Sequence, residues 1–404
     1  MEEKSPIYLV MVTTNNNNKY YRMVPHGDTF EVEYGRVGTS CQHASYPMLQ
    51  WNKKYNEKIR KGYVDQTHLV QDLIQKEKPK EKDGYKEIEN KAIAEIVQRL
   101  QDMAHQKIQA NYKVSSQQVT QAMVDEAQNV IDKLMQREEV EDFNNTLLEL
   151  FSVIPRKMGN VNDYLSRSKE DFARILKDEQ DLLDVMRCQV VTHTVQDKPD
   201  TDDVEEKQET ILEAMGLEFE DTTEKDVLMI KSLLGDCRDK FYRAWRVKNI
   251  KTQKRFDEFV EKEHISKTKL LWHGSRNENW WSIINTGLVL RPTNAVITGK
   301  MFGYGIYYAP KARKSLGYTS ISGSYWAKGN SDSAFMALMD VAYGNPYDVH
   351  SFDSKYYNFN YEQLQKTCPG ANCLHAHAGS MLRNDEIIVY KEDQCTIKYL
   401  VELR

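Results

Sequence analysis

No stretch of this sequence supplies the ~20 consecutive apolar residues that a membrane-crossing helix requires. Its apolar run Ile7–Val12 is too short even for the core of a secretion signal. Charge of one sign is missing as well: 55 Lys and Arg stand against 60 Asp and Glu, a formal net charge of −5. The chain as a whole therefore exerts no pull on nucleic acid, and any contact with phosphates needs a local basic patch. Cysteine is sparse. Cys41, Cys188, Cys237, Cys368, Cys373 and Cys395 are scattered rather than set in the dense spacing of a disulfide framework. Together with a start at Met1-Glu2-Glu3-Lys4, which has no basic stretch leading into a long apolar one, this predicts a reducing, intracellular compartment and no membrane partner. Internal repeats are absent too.

What is present is a globular composition, 40% hydrophobic and 28% charged over 404 residues, enough for two or three domains. From Ile7 to about Tyr63, short β-branched and aromatic runs alternate with turn residues: Asn15–Asn18, His26-Gly27-Asp28, Gly35 and Gly38. That pattern predicts a small β-rich unit with Ile7–Val12 as a strand. It closes with a helix in which Met48, Trp51, Tyr55 and Ile59 share an apolar face while Lys54, Lys58 and Lys61 line another. Lys76–Lys86, dense in charge and interrupted by Pro79 and Gly84, reads as a linker.

Apolar residues then recur at helical spacing four times, over Ile93–Met103, Met123–Leu134, Phe143–Phe151 (stopped by Pro155) and Phe172–Met186. They predict an all-α helical bundle, with Ser115 and Gln118 as the capping box that opens its second helix. The acidic, polar stretch Gln196–Thr210 cannot bury enough apolar surface to fold alone and marks a boundary. Beyond it lies a mixed α+β region with short strands such as Leu270–Trp272 and Glu386–Tyr390. The expected fold class is thus α+β and multidomain, divided into 1–75, 85–195 and 210–404.

Three short stretches in the last region carry chemistry. In Leu271-Trp272-His273-Gly274-Ser275 an apolar strand runs into His, Gly and Ser, and the glycine lets a ligand approach the backbone N–H and C=O. Alone, such a stretch is more often a strand ending in a polar turn. Thr298–Ala309 adds three glycines, Gly299, Gly303 and Gly305, among the tyrosines Tyr304, Tyr307 and Tyr308, followed by Lys314, Ser315 and Tyr318. These residues suit a pocket for a planar amide, although any one of the tyrosines is equally at home in a core. Asn384-Asp385-Glu386-Ile387-Ile388-Val389-Tyr390 sets two carboxylates at the head of a β-branched strand, a place where a single acid is usually structural.

In this order, over about Leu217–Arg404, the three stretches resemble the poly(ADP-ribose) polymerase family. The resemblance implies an ADP-ribosyltransferase fold with NAD⁺ as substrate and His273, Tyr307 and Glu386 as the His-Tyr-Glu set that carries the reaction. Breaking the nicotinamide–ribose bond builds positive charge on the sugar, so a carboxylate at Glu386 stabilises the transition state. By the same resemblance His273, supported by Ser275, holds the adenosine ribose, and Gly274 and Ser315 grip the carboxamide. Tyr307 and Tyr318 stack on the nicotinamide, and Lys314 assists the acceptor. Where relatives carry an arginine on the adenosine side this chain has Val289, which leaves Arg291 as the candidate contact, and Lys300 replaces a residue that is often aromatic.

Upstream, Val32-Glu33-Tyr34-Gly35-Arg36-Val37-Gly38 resembles the WGR module that accompanies these enzymes, with Tyr34 in place of tryptophan. In relatives that module reads DNA ends, which makes Tyr34, Arg36, Lys53, Lys54, Lys58 and Lys61 candidate DNA contacts. The bundle, notably Phe151–Pro155 and Asp181–Asp184, resembles the family's regulatory helical domain, which restrains the active site until DNA binds. The cluster Cys368–His377 holds zinc-ligand residue types, but its spacing fits no standard pattern and the resemblance brings no metal, so none is expected. The expected function is DNA-break-stimulated transfer of ADP-ribose, as polymer, to protein acceptors including the chain itself, in the response to DNA damage. The compartment is then nuclear in a eukaryote, and cytoplasmic or nucleoid-associated in a bacterium. Alternatives are transfer of a single unit by the same fold and an inactive DNA-binding scaffold; the intact His-Tyr-Glu set speaks against the latter.

Overall fold

A computed structural model describes residues 4–70, 85–111, 119–196, 209–290, 301–321, 323–324, 327–328, 331–379 and 382–404. The chain divides into two compact units, Met1–Asp83 with His105–Gln196, and Gly84–Ala104 with Asp197–Arg404. This differs from the expected three-way division. The early turns of the helix Lys91–Asn111 go with the C-terminal unit, while the rest of the bundle goes with the N-terminal sheet.

Arg99 supplies the physical reason in the C-terminal unit. Its guanidinium donates to Glu402 Oε1 at 2.9 Å and to Ser333 Oγ at 2.8 Å, and lies 5.1 Å from the centre of the Phe335 ring. The Glu402 side chain is only 2% exposed, and Arg404, 3.3 Å away, is its second arginine partner.

The N-terminal unit begins with an antiparallel sheet of order β4-β3-β2-β1-β5, formed by β1 (Ile7–Thr13), β2 (Asn17–His26), β3 (Thr29–Arg36), β4 (Gln42–Pro47) and β5 (Val64–Asp65). Cross-strand pairs such as Ile7 with Met23 and Leu9 with Tyr21 put one apolar set on one face, over which Trp51 packs edge-on against Phe30. The helix Trp51–Arg60 covers this face, but not with the stripe that its apolar residues suggest. Ile59 is exposed, and Lys54 and Lys58 lie toward the sheet, their ammonium groups over tyrosine rings.

In the same unit, the helices Gln121–Leu134, Val140–Val153 and Phe172–Gln196 pack together, with the Phe143 and Phe172 rings stacked 3.8 Å apart. The expected capping box at Ser115 and Gln118 lies outside the described residues. The cap that is present is Thr120, whose hydroxyl accepts from the Met123 N–H at 3.1 Å. Val140–Val153 ends as anticipated, because Ile154 precedes a proline and takes an extended conformation.

The C-terminal unit holds two sheets. The five-stranded one is antiparallel, in the order β6-β7-β16-β12-β8, and comprises β6 (Leu217–Asp221), β7 (Phe241–Asn249), β8 (Lys269–Gly274), β12 (Ala334–Val341) and β16 (Cys395–Leu403). The four-stranded one, in the order β13-β14-β15-β9, comprises β9 (Ile306–Tyr308), β13 (Pro346–Val349), β14 (Cys373–Ala376) and β15 (Glu386–Val389). The strands β10 (Gly323–Ser324) and β11 (Ala327–Lys328) form a separate two-stranded pair. Between the large sheets stands one bridge, in which Trp272 and Ala309 exchange N–H to C=O hydrogen bonds of 2.9 and 3.0 Å. No helix among the described residues is long and apolar enough to cross a membrane.

Candidate active site

The bridge at Trp272 and Ala309 positions the chemistry. Trp272 is 1% exposed and anchored by its indole N–H on the Leu233 carbonyl at 3.1 Å, so the next residue, His273, emerges at a fixed place on the end of β8. Tyr307 lies two residues before Ala309, and its carbonyl is 3.1 Å from His273 Nδ1. On the other side of β9, Tyr307 pairs with Ile388 of β15. Glu386, two residues before Ile388, shares its face, because side chains alternate along a strand. Three residues distant in sequence are thereby gathered by register alone.

Details of the pocket fix the rotamers. The Tyr307 hydroxyl donates to the Gly303 carbonyl at 3.1 Å and accepts from the Phe302 N–H at 3.0 Å, which holds its ring across the strand. Burial, together with the nearby Glu386 charge, pushes its pKa up against the pull of the Phe302 N–H, so it stays a neutral donor. Gly303 is required at this turn: it has φ +72°, and a Cβ there would lie 2.1 Å from the Phe359 carbonyl oxygen.

The short helix Ala312–Leu316 brings Lys314 and Ser315 in from the opposite side. Lys314 Nζ is 2.6 Å from Glu386 Oε1, with side-chain exposures of 24% and 11%. Desolvation alone would lower the lysine pKa, but attraction to Glu386 outweighs it and the net shift is upward. Lys314 is therefore an ammonium that orients and charge-balances Glu386, not a base. Tyr318 also hydrogen-bonds to this amine and is itself exposed.

Two sequence expectations change in detail. Gly274 was read as a place where a ligand approaches, yet its missing Cβ first of all admits protein, since an added Cβ would lie 2.0 Å from the Ser315 carbonyl oxygen. Ser315, expected to offer its hydroxyl to a carboxamide, is buried and donates to the Trp272 carbonyl at 3.0 Å, leaving its lone pairs as acceptors. Ser275 is steadied by Asn279, whose amide donates to its Oγ at 3.1 Å, a support the sequence did not reveal. Arg291 lies outside the described residues, as does Lys300.

The residues expected at DNA fall into distinct groups. Lys53 is exposed. Lys61 is exposed and paired with Glu57 at 2.7 Å. Lys54 and Lys58 stand 4.1 and 4.2 Å over the Tyr46 and Tyr21 rings, and Lys58 is also 5.8 Å from the Tyr34 centroid. Arg36 donates from Nη1 and Nη2 to acceptors of its own unit: Asn16 Oδ1 and the Asn16, Met158 and Gly159 carbonyls, at 2.8 to 3.1 Å. Asn16 and Asn18, read from sequence only as turn residues, also bond the 156–161 loop, Asn18 Nδ2 donating to the Arg156 carbonyl at 2.8 Å and Asn16 Oδ1 accepting from the Val161 N–H at 3.1 Å. The thiols of Cys368–His377 stay away from its imidazoles; Cys373 is buried and directed at the Tyr343 carbonyl.

Residues 225–404 match the poly(ADP-ribose) polymerase catalytic domain, and residues 5–70 match the WGR domain. The "Putative poly [ADP-ribose] polymerase-like 100L" of Invertebrate iridescent virus 6 is 31% identical over 168 residues, which are 41% of this chain and 87% of the relative. The chain belongs to the poly(ADP-ribose) polymerase family. "Uncharacterized protein 101L" of the same virus is 34% identical over 186 residues, 45% of this chain and 76% of the viral one. Poly [ADP-ribose] polymerase 1 of Xenopus laevis is 23% identical over 317 residues, 72% of this chain but 31% of the frog protein. Membership of this family makes the chain an ADP-ribosyltransferase that consumes NAD⁺.

Proposed function

We propose that the chain is a DNA-break-stimulated poly(ADP-ribosyl)transferase that modifies protein side chains, its own among them. The observation that carries this reading is the gathering of His273, Tyr307 and the Lys314–Glu386 pair by strands β8, β9 and β15. The partly exposed His273, Gly274, Tyr307 and Tyr318 offer donors and flat faces, while Glu386 is held deeper with its charge matched by Lys314. In this reading His273 and Ser275 hold the adenosine ribose, and the Gly274 backbone with Ser315 holds the carboxamide. Tyr307 and Tyr318 bracket the nicotinamide.

As the glycosidic bond breaks, its electron pair leaves on the nicotinamide nitrogen and positive charge develops on the sugar. The Glu386 carboxylate stabilises that charge, accepts a hydrogen bond from the acceptor hydroxyl and takes up its proton as the new oxygen–ribose bond forms. Lys314, already protonated, keeps the carboxylate aimed. Stimulation by DNA is supported by the WGR match and by the Arg36, Asn16 and Asn18 contacts, which tie the N-terminal sheet to the loop after Pro155 in the helical region. A signal from that sheet then reaches the helices as a shift in populations.

The test is incubation of the purified chain with labelled NAD⁺, with and without nicked DNA, reading nicotinamide release and gel mobility. The expected result is release that rises with nicked DNA and a ladder or smear on the protein. A single sharp band would reduce the function to transfer of one unit, equal release without DNA would remove the stimulation, and no release under either condition would overturn the reading.

A further inference from the structure

Outside the active site, the side chains of Asp348, His375 and His377 converge at the exposed edge of the four-stranded sheet. Asp348 of β13 and His375 of β14 are register partners in a parallel pair, so they stand side by side on one face. His377, two residues further, returns to that face and is held by its N–H on the Val349 carbonyl at 2.9 Å. Asp348 Oδ1 is 2.7 Å from His377 Nε2 and 3.7 Å from His375 Nδ1. One ligand atom from each of the three lies within 4.8 Å of the others.

We infer that Asp348, His375 and His377 form a binding site for a divalent transition-metal ion of the zinc class. Two imidazoles and a carboxylate are the nitrogen and oxygen donors that such ions prefer, and a span of a few ångströms closes around one ion with small side-chain rotations. The surroundings already resemble a support shell. Asp385 Oδ2 is 3.1 Å from His375 Nε2, while its Oδ1 accepts from the Ala378 N–H at 2.8 Å, which points the other ring nitrogen of His375 toward Asp348. The His350 ring stacks on His377 with 4.4 Å between centroids and limits its rotation. The Tyr343 hydroxyl, 2.9 Å from His375 Nδ1, occupies the ligating nitrogen and turns away when the ion binds.

The ion joins β13 to the segment that leads through Asp385 into Glu386, so it fastens the approach to the catalytic strand without touching the reacting atoms. Cysteine takes no part, which distinguishes this site from a thiolate zinc cluster.

The full-length chain, stripped with a chelator, is titrated with Zn²⁺ by calorimetry and with Co²⁺ by visible absorption. One equivalent should bind, with a cobalt spectrum lacking thiolate charge-transfer bands. His377→Gln and Asp348→Asn should each abolish the signal, and Asp385→Asn should weaken it by about 10- to 100-fold. Cys41→Ser and Cys368→Ser should leave it unchanged. Circular dichroism of the stripped variants controls for folding; His377 and Asp348, being the more exposed, carry the test if a His375 variant fails to fold. Absence of binding by the parent chain, or binding that survives both His377→Gln and Asp348→Asn, would overturn the inference whatever the outcome of the transfer assay.

Discussion

Lys58 in the N-terminal unit and Lys314 in the C-terminal unit are both partly buried lysines laid against a sheet, and their surroundings drive them in opposite directions. Lys58 rests over Tyr21, with Tyr34 and Tyr63 at 5.8 and 5.6 Å, and the aromatic faces are its main company. Desolvation, with help from neighbouring Lys61, lowers its pKa in spite of Glu57. Lys314 is desolvated too, but Glu386 at 2.6 Å reverses the effect. A ring face attracts a cation by about 0.5–2 kcal/mol without neutralising it, whereas a carboxylate at contact distance fixes the protonation state. Partial burial of a lysine therefore does not by itself mark a reactive amine. The partner decides: the first lysine serves packing, the second serves the site.

The largest effect that sharpens this contrast is expected from Glu386→Gln. The proposed transition-state charge then loses its counter-ion, and nicotinamide release should fall by about 100-fold or more while NAD⁺ binding changes little. Turnover within a factor of about two of the parent, measured on a variant with the parent's circular dichroism, would remove Glu386 from the reaction. A smaller loss, about 10-fold in kcat, is expected for Lys314→Met, with partial recovery in Lys314→Arg because the cation returns. If Lys314→Arg were as poor as Lys314→Met, the amine would be acting by more than its charge.

The smallest effect lies in alkaline stability. Lys314, raised in the folded state, contributes stability that is complete below its ordinary value of ~10.4 and is lost as pH rises through the folded value. Lys58, lowered in the folded state, carries a cost while charged that is relieved as pH rises through its folded value toward ~10.4. Between about pH 9 and 11, Lys314→Met should flatten the decline of Tm with pH and Lys58→Met should steepen it, each by about 1–2 °C. Parallel curves for the two variants would dissolve the comparison.

Much of the architecture is readable in the sequence because it rests on local periodicity. Ile7–Thr13, Val140–Val153 and the strands Lys269–Gly274 and Glu386–Val389 all appear close to where alternation, helical spacing or Pro155 put them. What escaped depends on contacts distant in sequence or on side chains of double character. Arg99 meets Glu402 across 303 positions, and no periodic pattern encodes that pairing. It also moves the start of the helix Lys91–Asn111 into the C-terminal unit, so deletion of residues 85–190 would take from the buried Glu402 carboxylate the shorter of its two arginine contacts, leaving Arg404 at 3.3 Å. Lys54 and Lys58 were placed on a separate face because periodicity counts lysine as polar, although its aliphatic stem and cation both suit an aromatic floor. Arg36, a candidate DNA contact, also donates from Nη2 to the Met158 and Gly159 carbonyls, which only the folded loop brings near. The Cys368–His377 cluster holds both histidines of the metal site inferred above, but their partner there, Asp348, arrives through a parallel register that spacing cannot show.

The Trp272–Ala309 bridge bears on how such a site is assembled. One pair of backbone hydrogen bonds sets the His273 and Tyr307 backbones side by side, while Phe302 and Gly303 of the connection hold the Tyr307 ring. The spacing of the pair is thus a property of the sheets, and the connection between them sets how the tyrosine presents its face.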